Sequence, residues 1–114
     1  MKLGIIGLGA VGTANKKGFE HVGHIVVPHD ITLDTTIQDV LDTEITFLCV
    51  PTPQADDGSC NTGILESVIT ELSQLNYTGI IAIRSTVVPG FTQRMINTHR
   101  NLTICFVPEF LRER

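Results

Sequence analysis

An apolar strand that runs straight into a glycine triplet and then a helix leaves a chain few folds to adopt. Residues 3–12 read Leu3-Gly4-Ile5-Ile6-Gly7-Leu8-Gly9-Ala10-Val11-Gly12. The order strand, G-x-G-x-x-G, helix is that of the phosphate-binding corner of a dinucleotide fold. Gly7 permits the tight turn. Gly9 lets the backbone approach a pyrophosphate with no Cβ in the way. Gly12 lets the helix pack close to the strand. The turn at Leu8 and the helix start at Ala10 and Val11 then offer N–H groups and a positive dipole end to phosphates.

The segments that follow support this reading. Ala10, Ala14, Gly18 and Val22 recur at four-residue spacing, a stripe of small residues expected to lie on a sheet. Gly23 suits the end of that helix. Residues 24–27 read as a second strand, which ends at Pro28-His29-Asp30. Asp30 lies 18 residues after Gly12. An acidic residue at the end of the second strand accepts hydrogen bonds from the adenosine ribose hydroxyls of NAD. It also repels the extra phosphate of NADP, and no Arg or Lys follows nearby, so the expected cofactor is NAD.

A chain of 114 residues with no linker composition is expected to form one domain over 1–114. Its net charge of −4 gives no basic patch for nucleic acid, and Lys16-Lys17 reads as a solvated helix face. Met1-Lys2 opens directly into a core strand, so no signal peptide is expected, and no apolar run reaches membrane-spanning length. Cys49, Cys60 and Cys105 share no metal-ligand spacing, so no metal site is expected. Their odd number argues against a disulfide framework and for a reducing cytoplasm. Cys49 and Cys105 fall in strand patterns and are expected to be buried and inert, whereas Cys60 sits in a polar loop. His21 and His24 bracket a helix end as surface or capping residues.

Further along, residues 35–41 suit a short helix with Ile37, Val40 and Leu41 inward, and residues 45–50 a third strand. Pro51-Thr52-Pro53 and a polar Asp56-Asp57-Gly58 turn follow. Residues 62–75 show one apolar face at helical spacing: Ile64, Leu65, Val68, Ile69, Leu72 and Leu75. Residues 79–83 form a fourth strand leading into Arg84-Ser85-Thr86. Pro89 suits the first turn of a helix carrying Phe91, Met95 and Ile96, and residues 102–107 form a fifth strand.

Strands alternating with helices imply an α/β fold, a Rossmann-type doubly wound parallel sheet of five strands with expected order 3-2-1-4-5. Ligands then bind where the order reverses, between the first and fourth strands. The glycine corner, Val50-Pro51-Thr52-Pro53, Ser85-Thr86 and Pro108-Glu109-Phe110 face that crevice. Pro28 is a misfit, because an internal strand needs the N–H that Pro lacks.

Four motifs together resemble the UDP-glucose/GDP-mannose dehydrogenase family. They are the glycine corner, Cys49-Val50-Pro51-Thr52-Pro53, Ser85-Thr86-Val87-Val88-Pro89-Gly90 and Pro108-Glu109-Phe110-Leu111-Arg112-Glu113. The resemblance covers nearly the whole chain, as the N-terminal NAD domain of such an enzyme. It implies oxidation of a sugar-nucleotide alcohol such as UDP-glucose at C6, twice, with two NAD per carboxylate. It implies that Val50, Pro51, Thr52 and Thr86 lie against the cofactor. Thr86 and Glu109 would hold a water and move protons near the sugar. Glu113, with the backbone of Phe110 and Leu111, would line the substrate pocket.

The chain also departs from the family pattern. Only 18 residues separate Asp30 from Cys49, where typical members carry a longer insert. Val107 replaces a small polar residue. The family's downstream helix and second domain, with its catalytic cysteine and lysine, lie beyond residue 114. A minimal variant, and a truncated or fragmentary one, is therefore expected. Its 114 residues alone are expected not to complete the oxidation, and to expose apolar surface near the fifth strand that permits self-association. Two alternatives are a stand-alone NAD-binding regulatory module and the cofactor domain of a β-hydroxyacid dehydrogenase.

Overall fold

The computed structural model describes residues 1–30, 33–53, 61–85 and 87–107. Strand β1 (Lys2–Ile6) leads into helix α1 (Ala10–His21) and strand β2 (Ile25–His29). A single 3-10 turn (Ile37–Val40) precedes strand β3 (Ile45–Leu48). Helix α2 (Gly63–Gln74), strand β4 (Ile80–Ile83), helix α3 (Phe91–Thr98) and strand β5 (Thr103–Phe106) complete the order. All five strands are parallel in one doubly wound α/β sheet.

The strand order is β2-β1-β3-β4-β5, which corrects the expected 3-2-1-4-5. The reason is the short connector after β2. A strand outside β2 would need a crossover helix of its own, and here the connector holds one 3-10 turn. That turn packs on β1, β2 and α2 with Ile37 and Val40 buried. Val40 nests against Gly4, where an added Cβ would stand 3.0 Å from the Val40 Cβ. The chain thus passes over β1 and enters β3 on its far side, where the Glu44 N–H donates to the Lys2 carbonyl at 2.9 Å. The observed order is the second common doubly wound arrangement, with its switch point between β1 and β3 rather than between the first and fourth strands.

The same result removes the difficulty with Pro28, because β2 is an edge strand. Ile25 donates to Met1, and Gly7 donates to the carbonyl of His29, so the odd residues of β2 face β1. Pro28 therefore turns its missing N–H outward, the position an edge strand tolerates. Along the same outer edge, His24 N–H donates to Phe19, and Asp30 N–H to the Thr35 hydroxyl.

Two apolar layers flank the sheet. Leu65, Ile69 and Leu72 of α2, Phe91 and Met95 of α3, and the 3-10 turn cover one face. Helix α1 covers the other, with Phe19 4.8 Å from Phe47. The small-residue stripe does not make that contact: Ala14, Gly18 and Val22 are exposed. Gly12 and Phe19 set the buried side instead, because Gly12 is pressed onto the turn below it and Phe19 is the large apolar residue in register with it. Gly23, at φ +97°, ends α1 as expected. Its N–H and that of His24 return to Glu20 and Phe19. Helix α3 starts at Phe91 after an αL Gly90, so Pro89 precedes the helix rather than occupying its first turn.

No described element covers the α1-side face over β5. Cys105 is accordingly exposed and Cys49 half-buried, against the expectation that both are buried. Cys60 and the Asp56-Asp57-Gly58 turn lie outside the described residues. At the amino-terminal edge of the sheet, Thr43, Thr46 and Tyr77 form a buried hydroxyl cluster. Tyr77 Oη donates to the Thr43 carbonyl at 3.1 Å and accepts from Thr46 Oγ1 at 3.0 Å. No described helix is long and apolar enough to cross a membrane.

Candidate functional site

The switch point brings the carboxyl ends of β1 and β3 side by side, and three glycines shape the β1 side. Gly7 has φ +97°, and a Cβ there would stand 2.7 Å from the Cys49 carbonyl oxygen. A Cβ on Gly12 would stand 1.8 Å from the Gly7 carbonyl oxygen, so helix and turn touch backbone to backbone. Around Gly9 the space is open, with nothing within 4 Å of an added Cβ. Two glycines close the turn and the third leaves a gap in front of it, which is the division of labour expected from the sequence.

Gly9 is also the N-cap of α1 and supplies no side-chain cap. The first intrahelical bond runs from Thr13 N–H to the Gly9 carbonyl at 2.9 Å. The N–H groups of Ala10, Val11 and Gly12 therefore lack intrahelical acceptors and carry the positive end of the helix dipole. Leu8 differs. Its N–H donates to Asp30 Oδ2 at 2.5 Å, and its carbonyl accepts from Thr13 Oγ1 at 3.1 Å. The turn is thus held by β2 on one side and α1 on the other. Asp30, half-buried, stands at the end of β2 beside this turn.

On the other side of the crevice, Val50 is buried, Thr52 half-buried and Pro51 exposed. The Val50 amide nitrogen would lie 2.9 Å from a Cβ at Gly7. The end of β3 is fixed by Ser85, which is 6 % exposed. Its hydroxyl donates to the Val50 carbonyl at 2.7 Å and its N–H to the Leu48 carbonyl at 3.1 Å. Sequence reasoning named Thr86 and gave Ser85 no role. A small hydroxyl residue two positions past the apolar run of residues 80–83 was the available signal. Arg84 next to it stacks over Phe47, 5.4 Å from the ring centroid.

The structure thus gathers Gly7, Leu8, Gly9, Val11, Gly12, Asp30, Val50, Pro51 and Thr52 around one crevice, with the backbone of Ala10 at the helix start. Thr86, Glu109, Phe110, Leu111 and Glu113 lie outside the described residues. Among the described residues no group of three His, Cys, Asp or Glu side chains is placed to hold a metal ion. The residues present suit a dinucleotide: an open gap at Gly9, helix N–H groups without intrahelical acceptors behind it and a carboxylate at the end of β2.

Residues 31–114 match the family described as "UDP-glucose/GDP-mannose dehydrogenase family, NAD binding domain". The UDP-glucose 6-dehydrogenase AglM of Haloferax volcanii is 34 % identical over 93 residues, covering 69 % of this chain and 22 % of that protein. A UDP-glucose dehydrogenase of Pyrobaculum islandicum superposes with TM-score 0.82 at 24 % identity, over 98 % of this chain and 36 % of the other. A GDP-mannose dehydrogenase of Pseudomonas aeruginosa superposes with TM-score 0.80 at 22 % identity, over 99 % of this chain and 37 % of its own. The chain therefore spans between a fifth and two fifths of the length of these three relatives. The glycine corner precedes the family-matched span and is carried into the comparison by the structural superpositions.

Proposed function

Because the chain belongs to the UDP-glucose/GDP-mannose dehydrogenase family, as its NAD-binding domain, we propose that it holds NAD across the carboxyl ends of β1 and β3. The observation that carries this reading is the open gap at Gly9 in front of the uncapped α1 N-terminus, with Asp30 beside it. Gly9 and the N–H groups of Ala10, Val11 and Gly12 receive the pyrophosphate, and Asp30 receives the adenosine ribose hydroxyls. Val50, Pro51, Thr52 and Thr86 face the nicotinamide half.

In the whole enzyme the reaction is oxidation of a nucleotide sugar, with UDP-glucose as the favoured substrate. Bound NAD supplies the hydride acceptor. The chain's own part is to position that cofactor and to handle the proton of the substrate hydroxyl, which Thr86 and Glu109 do through a held water. Glu113 and the backbone of Phe110 and Leu111 line the sugar pocket. The matched relatives are longer, and the proposed activity is that of a protein of their length. Phe106 and Val88, 43 % and 51 % exposed, border an apolar groove of about 280 Å³ beside β5 that suits self-association.

Calorimetric titration of NAD into the wild type and Gly9→Val tests the cofactor site. The substitution fills the gap without touching the packed face of α1. A folded Gly9→Val that binds NAD as the wild type does would refute the site.

A further inference from the structure

The carboxylate that the cofactor reading gives to the ribose is already bonded to the protein. Asp30 Oδ2 accepts the Leu8 N–H at 2.5 Å, across the glycine turn and 22 residues away in sequence. The peptide before it is held from the same strand, by Gly7 N–H donating to the His29 carbonyl at 2.8 Å. Two consecutive N–H groups of the turn are thus anchored on the end of β2. Asp30 is anchored in turn. Its own N–H donates to Thr35 Oγ1 at 3.3 Å, and that hydroxyl lies 2.8 Å from His29 Nδ1.

From this chain of contacts we propose that Asp30 is a positioning residue for the phosphate turn as well as a ribose acceptor, with Thr35 holding Asp30 in place. The proposal rests on the cofactor reading above and deepens it. Gly7 and Gly9 have few steric limits on their backbones, so the turn they flank needs an external restraint. Leu8 lies between them, and an N–H bonded to a carboxylate is among the stronger restraints available. The Leu8 N–H is anti to the Gly7 carbonyl across their trans peptide, so directing it at Asp30 turns that carbonyl onto Gly12, where an added Cβ would stand 1.8 Å from it. Thr13 Oγ1 holds the Leu8 carbonyl separately. The restraint keeps the Gly7 carbonyl oxygen turned onto the helix and out of the space that an anionic pyrophosphate enters.

The two roles differ in sign on a ligand without ribose hydroxyls. If Asp30 acts on the ribose alone, removing its charge leaves the affinity for 2′,3′-dideoxy-ADP unchanged or raises it, because a repulsive carboxylate is gone. If Asp30 braces the turn, the same ligand binds more weakly despite the lost repulsion. The experiment titrates ADP and 2′,3′-dideoxy-ADP into wild type, Asp30→Asn, Thr35→Val, Thr35→Ser and Gly9→Val, with circular dichroism confirming each fold. The expected result is roughly tenfold weaker binding of both ligands to Asp30→Asn, the size of one charge-assisted hydrogen bond. A smaller loss is expected in Thr35→Val, with recovery in Thr35→Ser. Thr35→Val keeps the carboxylate and carries the test if Asp30→Asn does not fold. Dideoxy-ADP binding that is unchanged or tighter in Asp30→Asn, or unchanged in Thr35→Val, overturns the brace while Gly9→Val still weakens both ligands. If Gly9→Val also leaves both ligands unaffected, the cofactor reading fails as well.

Discussion

The Gly7 carbonyl oxygen occupies the position that a Gly12 side chain would need: a Cβ on Gly12 would come within 1.8 Å of it. Neither partner can give way cheaply, since both contacting groups are backbone and Gly7 is itself pressed on Cys49. Gly12→Ala is therefore expected to push α1 off the sheet and to destabilise the domain by about 3 kcal/mol. Urea unfolding followed by circular dichroism checks this. An unchanged midpoint would mean that the helix and turn are not packed as described.

Ser85 joins the ends of β3 and β4 from a buried position. Removing its hydroxyl leaves the Val50 carbonyl without that donor. Ser85→Ala is expected to cost about 1–2 kcal/mol of stability. It is also expected to weaken NAD more than ADP, because the proposed site sets the β3 end against the nicotinamide half. Paired titrations with the two ligands measure that ratio, and equal losses for both would count against the assignment of halves.

In the proposed site Asp30 would place a negative charge where NADP carries its 2′-phosphate, so the wild type is expected to prefer NAD. Asp30→Ala should narrow that preference by about tenfold. Competition binding between the two cofactors reads it directly. Tighter NADP than NAD binding by the wild type would contradict the assignment.

The pair Glu66–Arg94 ties α2 to α3 at 3.2 Å and gives one pH-dependent increment of stability. The Thr62 hydroxyl, and then Arg94, hold the Glu66 carboxyl below its usual value of 4.5. A carboxylate with a depressed folded-state pKa stabilises the fold above its unfolded value, and that contribution is lost as pH falls through the folded value. Both side chains are more than a third exposed, at 37 % and 56 %, so the increment is no more than about 0.5 kcal/mol. Glu66→Gln is expected to lose up to that increment at neutral pH and to converge with the wild type as pH falls below about 4.5, so its acid limb is flatter. A pH series of thermal melts on both proteins checks the sign.

Much of this fold was legible in the chain because it is written locally. Apolar runs marked all five strands to within a residue or two, and the glycine triplet marked the turn. What failed was the order of strands, which depends on whether a connector can carry a further strand past β2. Pro28 held that information: a residue without an outward N–H belongs at an edge, and the edge position of β2 follows from the order observed. The stripe on α1 misled because equal spacing shows that residues share a face, not which face is buried. Contact with the Gly7 turn and with Phe47 decided that, and Phe47 lies 28 residues beyond Phe19. Cys105 looked buried because its strand is apolar, but burial depends on a covering layer. At the site, Gly7, Gly12 and Asp30 could be named from pattern alone. The bonds from Leu8 to Asp30 and from Ser85 to Val50 join segments 22 and 35 residues apart, and no local pattern encodes them.

The central claim is that NAD enters the crevice between β1 and β3. The most direct measurement is an amide nitrogen–proton correlation spectrum of the isotope-labelled chain during NAD titration. The account predicts saturable shifts at Gly9, Val11, Gly12, Asp30, Val50 and Thr52, with α2 and β5 unmoved. Shifts confined to the groove around Val87, Val88 and Phe106, or none at saturating NAD, would contradict it.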